Sequence, residues 1–172
     1  MPTKLTSPKV SNRMKQFVDN ALPALPFWDV CCDHGYIGIA ALKSLKFEEV
    51  HFVDQVPHIM ERLDKLIHQS PHLNPAYNFF LHISSGENLD MDIYGTILIA
   101  GVGGTTIIKI LDSLFERQYL KANRLLLSPH LDEHILIPYL ESNPISKLYT
   151  LTEKILMSER RRIRPLYIYD KI

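Results

Sequence analysis

The chain has 172 residues, enough for one domain with a sizeable buried core. It is 46% hydrophobic and 22% charged, with 7 Gly and 11 Pro, which excludes a disordered or fibrous chain and leaves an ordered globular one. Nineteen basic residues balance nineteen acidic ones, so any hold on nucleic acid must come from locally concentrated charge. The two cysteines, Cys31 and Cys32, are neighbours and cannot build a disulfide framework. No apolar run reaches about 18 residues, and the opening segment lacks the apolar core of a secretory signal. The expectation is a cytoplasmic protein that does not span a membrane.

Helical and strand periodicities alternate along the chain. Ser11 is placed to cap a helix through Met14, Phe17, Val18 and Leu22, which Pro23 and Pro26 stop. Residues 27–31 read as a short buried strand, followed by a tight turn at Gly35 and a crossing helix over 36–45. A second strand over 50–54 precedes a helix whose apolar stripe is Ile59, Leu63, Leu66 and Ile67. The third strand is 77–83. The fourth, 96–100, is apolar throughout, as expected of a central parallel strand covered on both faces. Gly101-Val102-Gly103-Gly104 turns the chain into a helix through Ile107, Ile108, Leu111 and Leu114. A fifth strand over 124–127 and a helix over 135–140 follow, then strands over 148–155 and 163–169 joined by the charged Ser158-Glu159-Arg160-Arg161-Arg162. With no repeat, low-complexity tract or linker, residues 1–172 read as a single domain.

Five strand–helix units followed by a hairpin predict a doubly wound, Rossmann-like α/β sheet of the class I methyltransferase type, with an antiparallel last strand and a short N-terminal helix. In such sheets the ligand lies outside the carboxyl ends of the strands, so the residues there are the candidates. Asp29 and Asp33 flank the first strand end; two carboxylates there are costly unless they pair or bind something. A sulfonium cofactor carrying an ammonium group would use them, and capping of the following helix is the alternative for one of them. Between them Cys31 is small enough for a cofactor loop, and Gly35 is the only glycine of the loop, so the G-x-G-x-x-G of a nicotinamide site is missing. Cys31 and Cys32 also read as plain small core residues. Asp54, followed by Gln55, ends the second strand where a carboxylate accepts from ribose hydroxyls. Ser85 and Gly86 follow the third strand, where serine is an acceptor for an adenine amino group. Ala100, Gly101 and Val102 offer bare backbone beside a transferable methyl group. Ser128-Pro129-His130 ends the fifth strand, where His130 either meets a substrate base or is merely solvated. The histidines lack metal-ligand spacing, so no metal is expected.

The strand-end segments together resemble the bacterial tRNA (adenine-N1)-methyltransferases that modify adenine 22, the TrmK family, over about residues 10–169. The resemblance rests on Val10-Ser11-Asn12-Arg13-Met14, Asp29-Val30-Cys31-Cys32-Asp33-His34-Gly35-Tyr36, Ile99-Ala100-Gly101-Val102-Gly103-Gly104-Thr105 and Arg124-Leu125-Leu126-Leu127-Ser128-Pro129-His130. It implies S-adenosyl-L-methionine as cofactor and tRNA as partner. By that resemblance Asp33 is the catalytic carboxylate with His34 beside it, and Asp29, Cys31, Gly35, Asp54, Gln55, Ser85, Gly86, Ala100, Gly101 and Val102 surround the cofactor. Arg13, Ser128, Pro129 and His130 would face the substrate. The chain departs from the family at Cys31, where glycine is usual, at Ser84-Ser85-Gly86, where Gly-Asp-Gly is usual, and at Ser128-Pro129-His130, where Gln-Pro-Asn is usual. The family also continues into a helical C-terminal domain that helps hold tRNA, whereas this sequence stops at Ile172. The departures keep two other functions open: methylation of a small molecule or protein on the same fold, and a non-catalytic adenosyl-binding module.

Overall fold

Ser11 caps the first helix, α1 (Asn12–Asn20), its Oγ accepting from the Met14 backbone N–H at 3.2 Å. Phe17 and Val18 form the buried face. In the computed structural model, which describes residues 10–70, 73, 78–159 and 161–172, the helix stops at Asn20, before Leu22 and Pro23. The Leu22 N–H turns instead to Thr96 Oγ1 at 3.0 Å and ties the helix exit to the middle of the sheet.

The remaining elements are β1 (Phe27–Val30), α2 (Tyr36–Ser44), β2 (Val50–Asp54), α3 (Pro57–Gln69), β3 (Phe79–Ile83), β4 (Thr96–Ala100), α4 (Gly104–Glu116), β5 (Arg124–Ser128), α5 (Glu133–Ser142), β6 (Tyr149–Glu159) and β7 (Arg162–Lys171). The sheet runs β3-β2-β1-β4-β5-β7-β6. Strands β1 to β5 pair in parallel, and β7 is antiparallel to both β5 and β6. This is the doubly wound sheet with an antiparallel last strand that the order of elements predicts. One face packs Phe52, Leu98 and Leu126 against α1, α2 and α3 through Phe17, Ile39 and Leu63. The other packs Trp28, Ile97 and Leu125 against α4 and α5 through Ile107, Leu111 and Leu136. Every residue of β4 is buried, so its apolar run answers to two packed layers. After β3 the chain crosses from one side of β1 to the other, and the crevice between the diverging connections opens at the ends of β1 and β4.

Three features differ from the sequence expectation. First, β3 is followed by a single 3-10 turn, Gly86–Asn88, and not by a helix, so there are four complete strand–helix units where five were expected. Apart from glycines, only Leu89 and Ile93 of the segment 84–95 are buried, too short a stripe to seat a helix of several turns. Side chains cover the sheet there: Trp28 stacks on His51 with ring centroids 3.6 Å apart, and His51 Nδ1 lies 2.9 Å from His82 Nε2. Second, the charged link between the last strands is a tight hairpin. Ser158 pairs with Ile163 and Glu159 with Arg162, so these residues belong to strands and Arg161, at φ +70°, stands at the turn. The edge strand β6 is solvated on most of its length, and both strands are exposed beside the turn, so no apolar alternation marks their ends there. Third, Cys31 leaves β1 in a left-handed conformation. The expected strand start at Tyr77, and Arg160 of the charged link, lie outside the described residues. Among the described residues no helix is long and apolar enough to cross a membrane.

Candidate functional site

The loop after β1 is built from left-handed residues. Cys31 has φ +61°, Asp33 φ +49° and Gly35 φ +69°. A Cβ on Gly35 would sit 2.6 Å from Leu63 Cδ2, so glycine is required there by both conformation and space. The two non-glycine residues carry strain of about 1–2 kcal/mol each, and strain of that kind persists where the surrounding structure enforces it. Its effect is to alternate the loop: Cys32 is buried, while Cys31 and Asp33 face a cavity. Burial first, then the charges of Asp54 and Asp29, push the Cys31 thiol up to about 12. It is therefore a neutral wall and not a nucleophile.

Asp29 is only 2% exposed and lies behind that loop, away from the cavity lining. Its Oδ2 accepts from the Gly38 backbone N–H at 2.8 Å. The N-cap of α2 is Gly35, which has no side chain to accept from the first-turn amides, so a strand carboxylate does this from nine residues upstream. Burial raises the Asp29 carboxyl to about 7, against the pull of the Gly38 N–H and with the Asp54 charge adding to the rise.

Asp54 ends β2 and braces two loops at once. Its Oδ2 accepts from the Asp33 N–H and its Oδ1 from the Val56 N–H, each at 3.0 Å. Each oxygen keeps a second lone pair for a ligand. The cavity in front has a volume of about 630 Å3. Cys31, Asp33, Asp54 and Gln55 border one side, and Ser85, Gly86, Gly101 and Val102 another. Gly101 has φ +80°, and a Cβ built on it would meet nothing within 4 Å, so bare backbone faces open space. Ala100 is buried at the strand end and does not reach the cavity, nor does Gly35.

Among the further cavity residues, the polar Glu87, Thr106 and Lys109 were not anticipated. Glu87 Oε1 is 2.7 Å from Lys109 Nζ, and that hydrogen bond, foremost, holds the Glu87 carboxyl below its ordinary range. An acidic residue two places beyond Ser85 was the available signal. Thr106 and Lys109, three apart near the start of α4, share one helix face.

His34 Nδ1 lies 2.7 Å from Asp33 Oδ2, but its ring borders a separate cavity of about 320 Å3 beside Tyr36 and Arg62. At the end of β5, Ser128 is fully buried and its Oγ donates to the Pro165 carbonyl at 2.8 Å. Pro129 and His130 border a third cavity, of about 740 Å3, with Arg164 and Tyr167. The His130 N–H donates to the Val102 carbonyl at 2.8 Å, which makes that pair a shared wall between this cavity and the one at the loop. Arg13 stands on α1 with Nη1 3.0 Å from Glu159 Oε2 and its guanidinium over the Phe17 ring. The anticipated residues thus fall into an acidic cavity, a His34 pocket and a basic junction. Among the described residues no group of three or more His, Cys, Asp or Glu side chains is arranged to hold a metal ion.

A doubly wound sheet with an antiparallel β7 and a cavity outside its carboxyl ends is the class I methyltransferase architecture. The model of the methyltransferase domain family matches residues 10–164, and the chain belongs to that family. Among curated proteins no sequence matches. Solved structures do. TrmK of M. capricolum, in complex with S-adenosyl-homocysteine, superposes with a TM-score of 0.74 at 17% identity, covering 94% of this chain and 69% of that one. The B. subtilis m1A22 tRNA methyltransferase TrmK gives 0.74 at 18% identity, covering 94% and 66%. Magnesium protoporphyrin IX methyltransferase of Synechocystis PCC 6803, with bound SAM, gives 0.67 at 13%, covering 93% and 78%. At such identities the likeness is one of fold.

Proposed function

We propose that the chain is an S-adenosyl-L-methionine-dependent methyltransferase whose acceptor is the N1 atom of an adenine in RNA. The observation that carries this reading is the cavity of about 630 Å3 in which Asp33, Asp54 and the bare backbone of Gly101 converge. Its volume lies in the range of small-ligand sites. Its residues fit the cofactor: carboxylates suit a cationic sulfonium, spare Asp54 lone pairs suit ribose hydroxyls, and the space beside Gly101 admits a group pressed against backbone. The tRNA acceptor is the finer part of the reading. Two structural neighbours are tRNA methyltransferases, and the segments at Asp33-His34 and 99–105 resemble theirs.

When bound, the cofactor supplies a methyl group on a positively charged sulfur, open to in-line displacement. The chain's own part is positioning and electrostatics. Asp54 and Gln55 would hold the ribose edge, Ser85, Gly86 and Glu87 the adenine edge, and Cys31, Gly101 and Val102 would close around the methyl group, with Ala100 buried behind them. Gly35 lets the loop pack on Leu63, and Asp29 acts through Gly38 as a positioning residue. Adenine N1 attacks through its lone pair without losing a proton first, so positive charge develops on the purine. The Asp33 carboxylate stabilises that charge and takes up the proton the exocyclic amine then sheds. His34, at 2.7 Å, orients it. Pro129 and His130, across the Val102 wall, border the base, with Ser128 fixing their turn.

The test is nucleoside mass spectrometry of tRNA incubated with the protein and S-adenosyl-L-methionine. Appearance of 1-methyladenosine supports the reading. Methylation of another acceptor while tRNA stays unmodified would transfer the fold's activity to a small molecule or protein.

A further inference from the structure

The junction of α1, the end of β5 and β7 holds buried polar atoms that nothing in the fold satisfies. Arg13 Nε and Nη2, Arg164 Nε and His130 Nε2 are all buried without a hydrogen-bond partner. Buried nitrogen atoms of this kind are uncommon, because an unmade hydrogen bond to a charged group costs more than one to a neutral group. Both arginines are held in place by their other nitrogen. Arg13 Nη1 is fixed by Glu159 at 3.0 Å, and Arg164 Nη1 donates to the His130 carbonyl at 2.8 Å. What remains unmade on Arg13 is the Nε–Nη2 edge, the fork that grips an oxyanion through two parallel hydrogen bonds. The three residues lie close together in space. Burial is the first cause of the lowered His130 pKa, and the charges of Arg164 and Arg13 are the next two. Glu159 acts on the same imidazole in the opposite sense and Arg162 in the same sense, so one acidic residue faces three arginines there. His130 and Arg164 also border the cavity of about 740 Å3.

We infer that Arg13, His130 and Arg164 form an oxyanion site that receives a phosphodiester of the nucleic-acid substrate, next to the base to be methylated. This rests on the RNA reading above. A carboxylate offers the same two oxygens of delocalised charge to a guanidinium fork, so the phosphodiester is preferred on the RNA reading. The placement also suits it: the His130–Val102 hydrogen bond separates this site from the cofactor cavity by one wall, so a bound phosphate would anchor the strand beside the reacting base.

The experiment has two arms. In the first, inorganic phosphate is titrated into the protein in a non-phosphate buffer while the arginine Nε–H and His130 ring signals are followed by NMR. A saturable shift of Arg13, Arg164 and His130, with the His130 pKa rising as the anion binds, is expected. Arg13→Gln and Arg164→Gln should each remove the saturation, with S-adenosylhomocysteine affinity checking that the variants remain folded. In the second arm, the salt dependence of binding to an RNA oligonucleotide is measured, and Arg164→Gln should lower the slope by about one, the loss expected for one phosphate contact. No saturable shift with phosphate overturns the site, whatever RNA does. Saturation together with an unchanged RNA slope overturns the phosphodiester assignment. If the wild-type protein binds no RNA, the RNA acceptor fails and this occupant fails with it, while the first arm still reports on the oxyanion site.

Discussion

At the ends of β1, β2 and β3 four carboxylates already have partners, whereas at the junction of α1, β5 and β7 four buried nitrogen atoms have none. Asp29 is held by Gly38, Asp33 by His34, Asp54 by two backbone amides and Glu87 by Lys109. Arg13, Arg164 and His130 are clamped at one end and unsatisfied at the other. On the acidic side Asp33, Asp54 and Glu87 are held by partners before any ligand arrives, the condition under which electrostatic stabilisation costs little reorganisation. The basic side reaches its full set of hydrogen bonds only with something bound. On the function proposed above, catalysis belongs on the first and substrate capture on the second.

The sharpest way to break that division is Asp33→Ala. Turnover at saturating cofactor should fall on the order of 100- to 1000-fold, while S-adenosylhomocysteine affinity stays within a few-fold by calorimetry. The reason is that charge reaches the substrate only in the transition state, so the loss appears in kcat. A variant that loses the cofactor and keeps turnover makes Asp33 a binding residue.

The buried Asp29 sharpens the frame through pH. Its folded carboxyl is raised to about 7 from an ordinary 3.8, so the folded state holds the proton more tightly than the unfolded one. The stability this gives is present below about pH 4 and is lost as pH rises towards about 7. Asp29→Asn keeps an acceptor for Gly38 and removes the ionisation. Its stability relative to wild type should therefore grow by roughly 2–3 kcal/mol between pH 5 and pH 8. Urea denaturation at the two pH values measures this, and a gap that does not widen contradicts it.

A smaller effect is expected for Asp54→Ala. Asp33 N–H and Val56 N–H lose their acceptor along with any ribose contact, so cofactor affinity should weaken by roughly 1–3 kcal/mol. Calorimetry with S-adenosylhomocysteine reads it. The smallest effect is at Cys31. Glycine relieves the left-handed strain, and the gain of about 1 kcal/mol is partly offset by the greater freedom of glycine in the unfolded chain. A small rise in urea midpoint is expected for Cys31→Gly, and a fall would mean that the Cys31 side chain contributes more packing than strain.

Much of the frame was legible in the sequence because it is local. Residues 50–54 and 96–100 are short, β-branched and largely apolar segments bounded by polar or glycine residues, and both strands have those limits. Asp54 and the Gly101 turn sit where a doubly wound sheet puts its ligand, so their place follows from strand order. The sequence leaves Asp29 and Asp33 either a ligand or the cap of the following helix; the missing side chain at Gly35 draws Asp29 to the cap, and only the packing of strand against helix decides which of the two takes it. The Glu87–Lys109 pair depends on the register of α4 against a 3-10 turn, which no spacing encodes. The basic junction was the least legible part. Arg13, His130 and Arg164 come from the first helix, the fifth strand end and the last strand, and only the closed hairpin brings them together.

The most direct measurement is calorimetric titration of the wild-type protein with S-adenosylhomocysteine. The account predicts saturable binding at a single site, weakened by Asp54→Ala and unaffected by Arg164→Gln, since the acidic cavity and the basic junction are separate. Absence of binding at millimolar concentration, or equal loss in both variants, would contradict it.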